Sequence, residues 1–394
     1  MNDPVVKNND LFRYVHPFLC HNFFTLCTQG RIGLLPVSIK NITAVHKNLI
    51  DLKYAHIFKI QVPYAGKSLV WEIHFNPENL KFAPDIYFND KGFPHTLNIE
   101  NLVEEIPTMA NWNIGHSGSL EAALTEFLNL YKKYQVKELH SSNIYSRISD
   151  EYELLLTAPG ISARDVEVLI DNNMVHFLIS IRVELSNLPE FIQEASDDGS
   201  LLNPKEDFSL LYMNFQKLDA SKVNVFLQLS PRLEQLIGNS RTLNIPYYKK
   251  DSSLVEYVPL ISKILQDQID NIAKHYQFKK EFMSALLALR CHSIIEYDFF
   301  NFERIVFLCE VDNYYVLVKV IVGEELLRGK LTVKLSSLYC TNPKTKSPCE
   351  ENLDYKYAMD QQPDEMAKIF LGHLKKYVLD FQHHSHSVIA GKSK

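Results

Sequence analysis

Cys349 follows Asn342 by seven residues in the stretch Tyr339-Cys340-Thr341-Asn342 to Lys346-Ser347-Pro348-Cys349-Glu350-Glu351, and this is the chain's best candidate for covalent chemistry. A thiolate can carry an acyl group as a thioester, and a nearby amide side chain can stabilise the oxyanion formed on transfer. The surroundings argue against it, because two adjacent carboxylates would raise a thiol pKa and empty the thiolate state. The run His383-His384-Ser385-His386 offers three imidazoles for a transition metal, but no cysteine or carboxylate completes a ligand set, so it reads as a mobile tail. Gly66 and Gly238 are isolated turn glycines, and no GxxxxGK[ST] phosphate loop occurs. Trp71 and Trp112 read as core aromatics, and His74 as an outward surface residue. The expectation is therefore no catalytic, cofactor-binding or metal-ligating residue, with partner-facing residues unassigned.

The bulk numbers fit that reading. The 394 residues are 46% hydrophobic and 22% charged, the profile of a globular chain long enough for two to four domains. A formal net charge of -6 opposes direct nucleic-acid binding, which needs clustered excess Lys and Arg. Pairs such as Lys132-Lys133, Lys249-Lys250 and Lys279-Lys280 read as solvated faces. No apolar stretch approaches the roughly 18 residues of a membrane span, and the start, MNDPVVKNND, does not resemble a secretory signal. Cys20, Cys27, Cys291, Cys309, Cys340 and Cys349 lack framework spacing and read as reduced thiols of a nuclear or cytosolic protein.

The elements that would position any site repeat three times: helix, hairpin, third strand, loop, helix. In residues 58–88, Phe58, Ile60 and Val62 alternate with Lys59 and Gln61, and after a turn at Tyr64-Ala65-Gly66 Leu69, Trp71, Ile73 and Phe75 alternate again. A short helix over 17–27 precedes this meander. Ser119 is read as the cap of a long helix after it, whose character continues to about Thr157. Val166, Val168 and Ile170, an Asp171-Asn172-Asn173 turn and Val175 to Val183 form a second hairpin, with strands at 208–215 and 223–229 and a loop over 193–207. The third copy opens with the long apolar helical pattern from Leu260 to Leu286. It continues through Ile305 to Cys309, a Val311-Asp312-Asn313 turn, the run from Tyr314 to Val322, and a third strand at Leu331 to Leu335. A polar loop then leads to a last helix begun by Pro363, with a stripe of Met366, Ile369, Phe370, Leu374, Tyr377, Val378 and Phe381. The fold class is α+β in three tandem modules, 1–135, 136–255 and 256–394, each with helices packed on an antiparallel β-meander.

The first meander resembles the central sheet of ubiquitin-conjugating enzymes. In active members the nucleophilic cysteine lies between the last meander strand and a tryptophan before the next helix; here that segment, 89–112, contains no cysteine. Phe93-Pro94-His95 stands where a His-Pro-Asn motif would be expected. Asn342 and Cys349 come close to the active family's spacing, but the His and Pro of the motif are missing.

More specifically, IQVPYAGKSLVWEIHFN, LSPRLEQLIGNSRTLNIP, LVEYVPLISKIL and DEMAKIFLGHLKKYVLDFQ resemble the BRE, or brain and reproductive organ-expressed, family. The likeness is strongest at 58–88, 228–300 and 363–382 and weak at 185–220. It implies three ubiquitin-conjugating-variant (UEV/RWD-like) modules. It also implies a non-catalytic scaffold in two assemblies around a JAMM-type zinc deubiquitinase that cleaves lysine-sixty-three-linked ubiquitin chains: cytoplasmic BRISC and a nuclear Abraxas-containing complex acting at DNA breaks. The implied partners are an Abraxas-like MPN scaffold, the deubiquitinase and a von Willebrand A-like subunit, with ubiquitin a further candidate ligand. Two other classes stand beside this: an active or cofactor-type ubiquitin-conjugating protein using Cys349, and an adaptor for death-receptor tails, for which no motif is identified.

Overall fold

A computed structural model of the chain describes residues 11–28, 31–45, 54–96, 102–189, 208–239, 243–323, 330–343, 345–357 and 361–389. The chain divides into two compact units, one of residues 1–185 and 196–267, the other of 186–195 and 268–394. Among the described residues there are three sheets, all antiparallel. Two lie in the first unit and one in the second.

The first unit opens with α1 (Leu11–Tyr14) and α2 (Pro17–Thr28), then a sheet in the order β1 (Ile42–Val45), β2 (Ile57–Tyr64), β3 (Lys67–His74), β4 (Asp85–Phe88). The period-two pattern of β2 is realised: Phe58, Ile60, Val62 and Tyr64 are fully buried while Lys59 and Gln61 face solvent. Strand β1 extends the expected three-stranded meander to four. Phe23 of α2 meets Phe58 at 4.5 Å between ring centroids, so the helix covers the greasy face.

Two short helices, α3 (Leu102–Glu105) and α4 (Pro107–Ala110), lead to α5 (Ser119–Ser141). Ser119 is not the cap: it is the first helical residue, and its hydroxyl donates to the Asn113 carbonyl at 2.8 Å. Asn22 takes that role from another helix, with its Oδ1 accepting the Leu120 amide at 3.2 Å and its Nδ2 donating to the Ile114 carbonyl at 3.0 Å. The helix expected to run on to Thr157 breaks at Ser142, where the backbone turns extended, and resumes as α6 (Ser146–Leu156).

The second sheet runs β5 (Val166–Asp171), β6 (Met174–Arg182), β7 (Phe208–Phe215), β8 (Val223–Leu229). Helix α5 packs against β5, and four successive residues from Val166 to Leu169 are buried, so both faces of that strand are covered. The loop expected over 193–207 lies outside the described residues. Ser230 caps α7 (Pro231–Ile237) by accepting the Leu233 amide, and Gly238 ends it at φ +89°. The long α8 (Leu254–Arg290) begins in this unit, where Glu151 accepts the Leu254 amide at 2.6 Å and Tyr257, Val258 and Ile261 are buried.

The second unit takes the rest of α8 and one sheet in the order β13 (Pro348–Lys356), β12 (Lys330–Thr341), β11 (Tyr314–Ile321), β10 (Arg304–Val311), β9 (Ile294–Tyr297), covered by α9 (Pro363–Ile389). Five strands replace the expected three: β9 adds to the free edge of β10, and much of the presumed polar loop after Leu335 forms the end of β12 and its hairpin partner β13. Helix α9 buries Met366, Phe370, Leu374, Val378 and Phe381, but Ile369 is 38% exposed and lies off the stripe.

The three hairpins share one turn chemistry. Ala65-Gly66, Asn172-Asn173 and Asp312-Asn313 all place both central residues at positive φ, the two-residue form whose twist matches the strands it joins. Asn and Asp tolerate that region; Ala65, at φ +46°, pays roughly 1–2 kcal/mol for its Cβ.

Candidate functional site

The described residues of 89–112, which are 89–96 and 102–112, show what occupies part of the place of an active-site loop. Asp90 accepts the Gly92 amide at 2.8 Å and the Tyr131 hydroxyl at 3.1 Å. Phe93 is fully buried against Phe88 and Tyr131. Glu126 of α5 holds Thr108 through its hydroxyl at 2.6 Å and its amide at 3.1 Å. Trp71 is a core residue, and Trp112 packs partly buried beside Phe75. His74 is half-buried on the outer side and pairs with Glu72 at 3.2 Å.

Cys349 is not in a loop. It follows Pro348 in β13, 6% exposed, and burial, with Cys340 beside it, pushes its thiol up. The neighbouring carboxylates are not the cause. Glu350 lies on the opposite face of the strand, where it pairs with Lys334 at 2.6 Å and accepts from Ser336 at 3.1 Å. Asn342 sits at the hairpin end, its amide bonded to the Ser347 carbonyl at 2.9 Å. A thiol so placed is neither ionised nor presented to a large acyl donor.

The histidine run is helical rather than a tail: α9 carries through it to Ile389, with Ser385 buried and His383, His384 and His386 exposed. Among the described residues no group of three or more His, Cys, Asp or Glu side chains is placed to hold a metal ion. No described helix is long and apolar enough to cross a membrane.

The most constrained polar contact was not legible in the sequence. Glu167 of β5 is 2% exposed, and its two oxygens accept the amides of Leu34 and Ala65, each at 2.7 Å. The buried Tyr64 hydroxyl donates to the Val168 carbonyl at 2.9 Å. The first hairpin turn is thereby fastened to the second sheet. Burial lifts the Glu167 carboxyl above its ordinary range, while the two amides, Lys132 and Arg31 pull it partway back. Close approach explains two glycines: a Cβ on Gly33 would lie 2.6 Å from Glu167 Oε1, and one on Gly66 2.4 Å from the Tyr212 ring. Gln135 adds a further tie, accepting the Ile170 amide at 3.0 Å while donating to Tyr131.

Beside this junction lies an open groove of ≈ 1070 Å³ along one face of α5, from Thr125 to His140. Its walls include Gly33, Leu34, Leu128 and Val136; along α5 Glu126 comes first and Lys132, Lys133 and Lys137 follow, and Glu105 and Arg164 line the groove from other segments. Lys133, Lys137 and Arg164 are exposed, and Lys132 is half-buried near Glu167. The Lys132-Lys133 pair is therefore only in part a solvated face.

These features define an α+β chain of serial antiparallel sheets whose best candidate nucleophile is closed into a strand. The family model described as Brain and reproductive organ-expressed protein (BRE) matches residues 9–341, and the chain belongs to that family. It is similar to the "BRISC and BRCA1-A complex member 2" of Danio rerio, 27% identical over 380 residues that span 93% of this chain and 94% of the relative. The protein of the same description from Branchiostoma floridae is 26% identical over 389 residues, 95% of this chain and 96% of the relative.

Proposed function

We propose that this chain is a non-catalytic scaffold subunit of a JAMM-type deubiquitinase assembly acting on lysine-sixty-three-linked ubiquitin chains, in BRISC and in the nuclear Abraxas-containing complex. The observation that carries the reading is BRE family membership across residues 9–341, with relatives described as members of the BRISC and BRCA1-A complexes. A meander loop without a thiol, filled instead by Phe93 and the Asp90–Tyr131 bond, supports it. In this reading each sheet with its helices is a ubiquitin-conjugating-variant module kept for binding rather than chemistry. The chain joins an Abraxas-like and deubiquitinase core to a von Willebrand A-like subunit, in cytoplasm and nucleus, and retains weak ubiquitin affinity.

Affinity purification from the native source tests this. Co-purification of a JAMM metalloprotease with Abraxas-like and von Willebrand A-like proteins is expected; recovery of the chain without them overturns the reading.

A further inference from the structure

The groove along α5 borders the Glu167 junction, but several of its cations take no part in that junction. Toward the C-terminus of α5, Lys133 and Lys137 are exposed, as is Arg164 elsewhere in the lining, and none of the three forms an ion pair among the described residues. Lys132 joins them half-buried in the wall, where burial pushes its amine down and the charge of Glu167 pulls it partway back. The acids of the lining are differently placed. Glu167 accepts the Ala65 and Leu34 amides, Glu126, nearer the N-terminus of α5, holds Thr108, and Glu105 belongs to α3. Leu34, Leu128 and Val136 give the groove an apolar wall, and Gly33 packs so closely there that a Cβ would lie 2.6 Å from Glu167 Oε1 and 3.1 Å from Leu128 Cδ2. Unpaired cations above an apolar wall match an occupant with carboxylates at one end and apolar side chains along its length. The lining face of α5 extends from Thr125 to His140, about 22 Å at the helical rise, which about seven residues of extended chain would span.

We propose that this groove docks a short acidic segment of a partner protein, with apolar side chains seated against Leu34 and Val136 and carboxylates facing Lys133, Lys137 and Arg164. The proposal rests on the adaptor reading only in taking the occupant to be a protein.

The test uses the full chain and fluorescein-labelled synthetic peptides of alternating Glu and Leu, of alternating Lys and Leu, and of alternating Glu and Ser, read by fluorescence anisotropy. The Glu/Leu peptide is expected to bind at least about tenfold more tightly than either control, and to weaken as salt rises from about 0.05 to 0.5 M. Lys133→Glu/Lys137→Glu/Arg164→Glu is expected to reduce its affinity at least about tenfold with an unchanged thermal melt, since all three side chains are exposed. Should that variant melt early, Asn129→Trp fills the groove from an exposed position without altering charge and is expected to give the same loss. Equal binding of all three peptides, binding unaffected by either variant, no binding at all, or a groove closed by a second copy of the chain in sedimentation overturns the proposal. Peptide binding without co-purifying subunits defeats the adaptor reading alone, and co-purification without peptide binding defeats the groove alone.

Discussion

Glu167 accepts the Ala65 amide at 2.7 Å across 102 positions of sequence, and this bond fastens a hairpin turn of the first sheet to the first strand of the second. The left-handed conformation of Ala65 costs roughly 1–2 kcal/mol, an amount that a buried hydrogen bond of about 0.5–1.5 kcal/mol offsets in part. Glu167→Ala would strand one buried and one part-buried amide, so a loss of about 2–4 kcal/mol is expected in denaturant unfolding. Glu167→Gln, which keeps one acceptor oxygen, should lose about 1–3 kcal/mol. A change within about 0.5 kcal/mol for the alanine variant, the range of an ordinary surface substitution, would contradict this account of the junction.

The same carboxyl sets a pH dependence. Its folded pKa is raised, chiefly by burial, so the folded chain keeps the proton to higher pH than the unfolded chain, whose Glu titrates near about 4.3. Its stabilising contribution is then fullest below about 4.3 and declines as pH rises through the folded pKa. The stability difference between the protein and Glu167→Gln should shrink from pH 4 upward and level off. Unfolding midpoints of both proteins across that range check the sign, and a difference that grows with pH contradicts it.

Two glycines should respond in opposite directions to alanine. At Gly66, φ is +74° and a Cβ would sit 2.4 Å from the Tyr212 ring, so Gly66→Ala is expected to cost more than about 1 kcal/mol. Gly372 lies exposed within α9 with nothing inside 4 Å of a Cβ, and Gly372→Ala should stabilise by about 0.5–1 kcal/mol. Thermal melts of the pair separate a steric requirement from the ordinary helical cost of glycine.

Thiol reactivity should follow burial. Cys291 is exposed, Cys20 and Cys27 are half-buried with the Cys27 thiol pushed up to about 11, and Cys309, Cys340 and Cys349 are buried. Timed iodoacetamide labelling read by mass spectrometry should mark Cys291 first and Cys349 among the last. Incubation with activating enzyme, ATP and ubiquitin should leave no reductant-sensitive adduct; one abolished by Cys349→Ser would restore the conjugating-enzyme alternative.

Much of the sheet architecture was legible because each strand with one covered face alternates with period two, as in Phe58, Ile60 and Val62 or Val316, Val318 and Val320. The turns were legible because Asn-Asn, Asp-Asn and Ala-Gly fall between such runs. Strand β13, reading Pro-Cys-Glu-Glu-Asn-Leu-Asp-Tyr-Lys, was not: only Cys349 and Tyr355 are buried, so its composition is that of a loop. Glu167 was hidden for a different reason. An acid between Val166 and Val168 reads as the solvent face of an alternating strand, and only the arrival of Ala65 and Leu34 from 102 and 133 positions away makes it a core residue. Leu169, apolar at the same outward register, is the one local sign that β5 is covered on both sides.

The proposed role of the chain, as a bridging subunit, is to connect partners rather than to perform chemistry. The direct measurement is a pull-down in which the von Willebrand A-like subunit is immobilised and capture of the Abraxas-like and deubiquitinase core is scored with and without this chain. Truncation after Asp267 provides the companion sample, because the start of α8 through Ile261 belongs to the core of the first unit and a cut near residue 255 would remove it. Capture of the core is expected only when the full chain is present, and the truncated chain is expected to bind the core but no longer to bridge. Capture of the core without the chain, or undiminished bridging by the truncated form, would contradict that role.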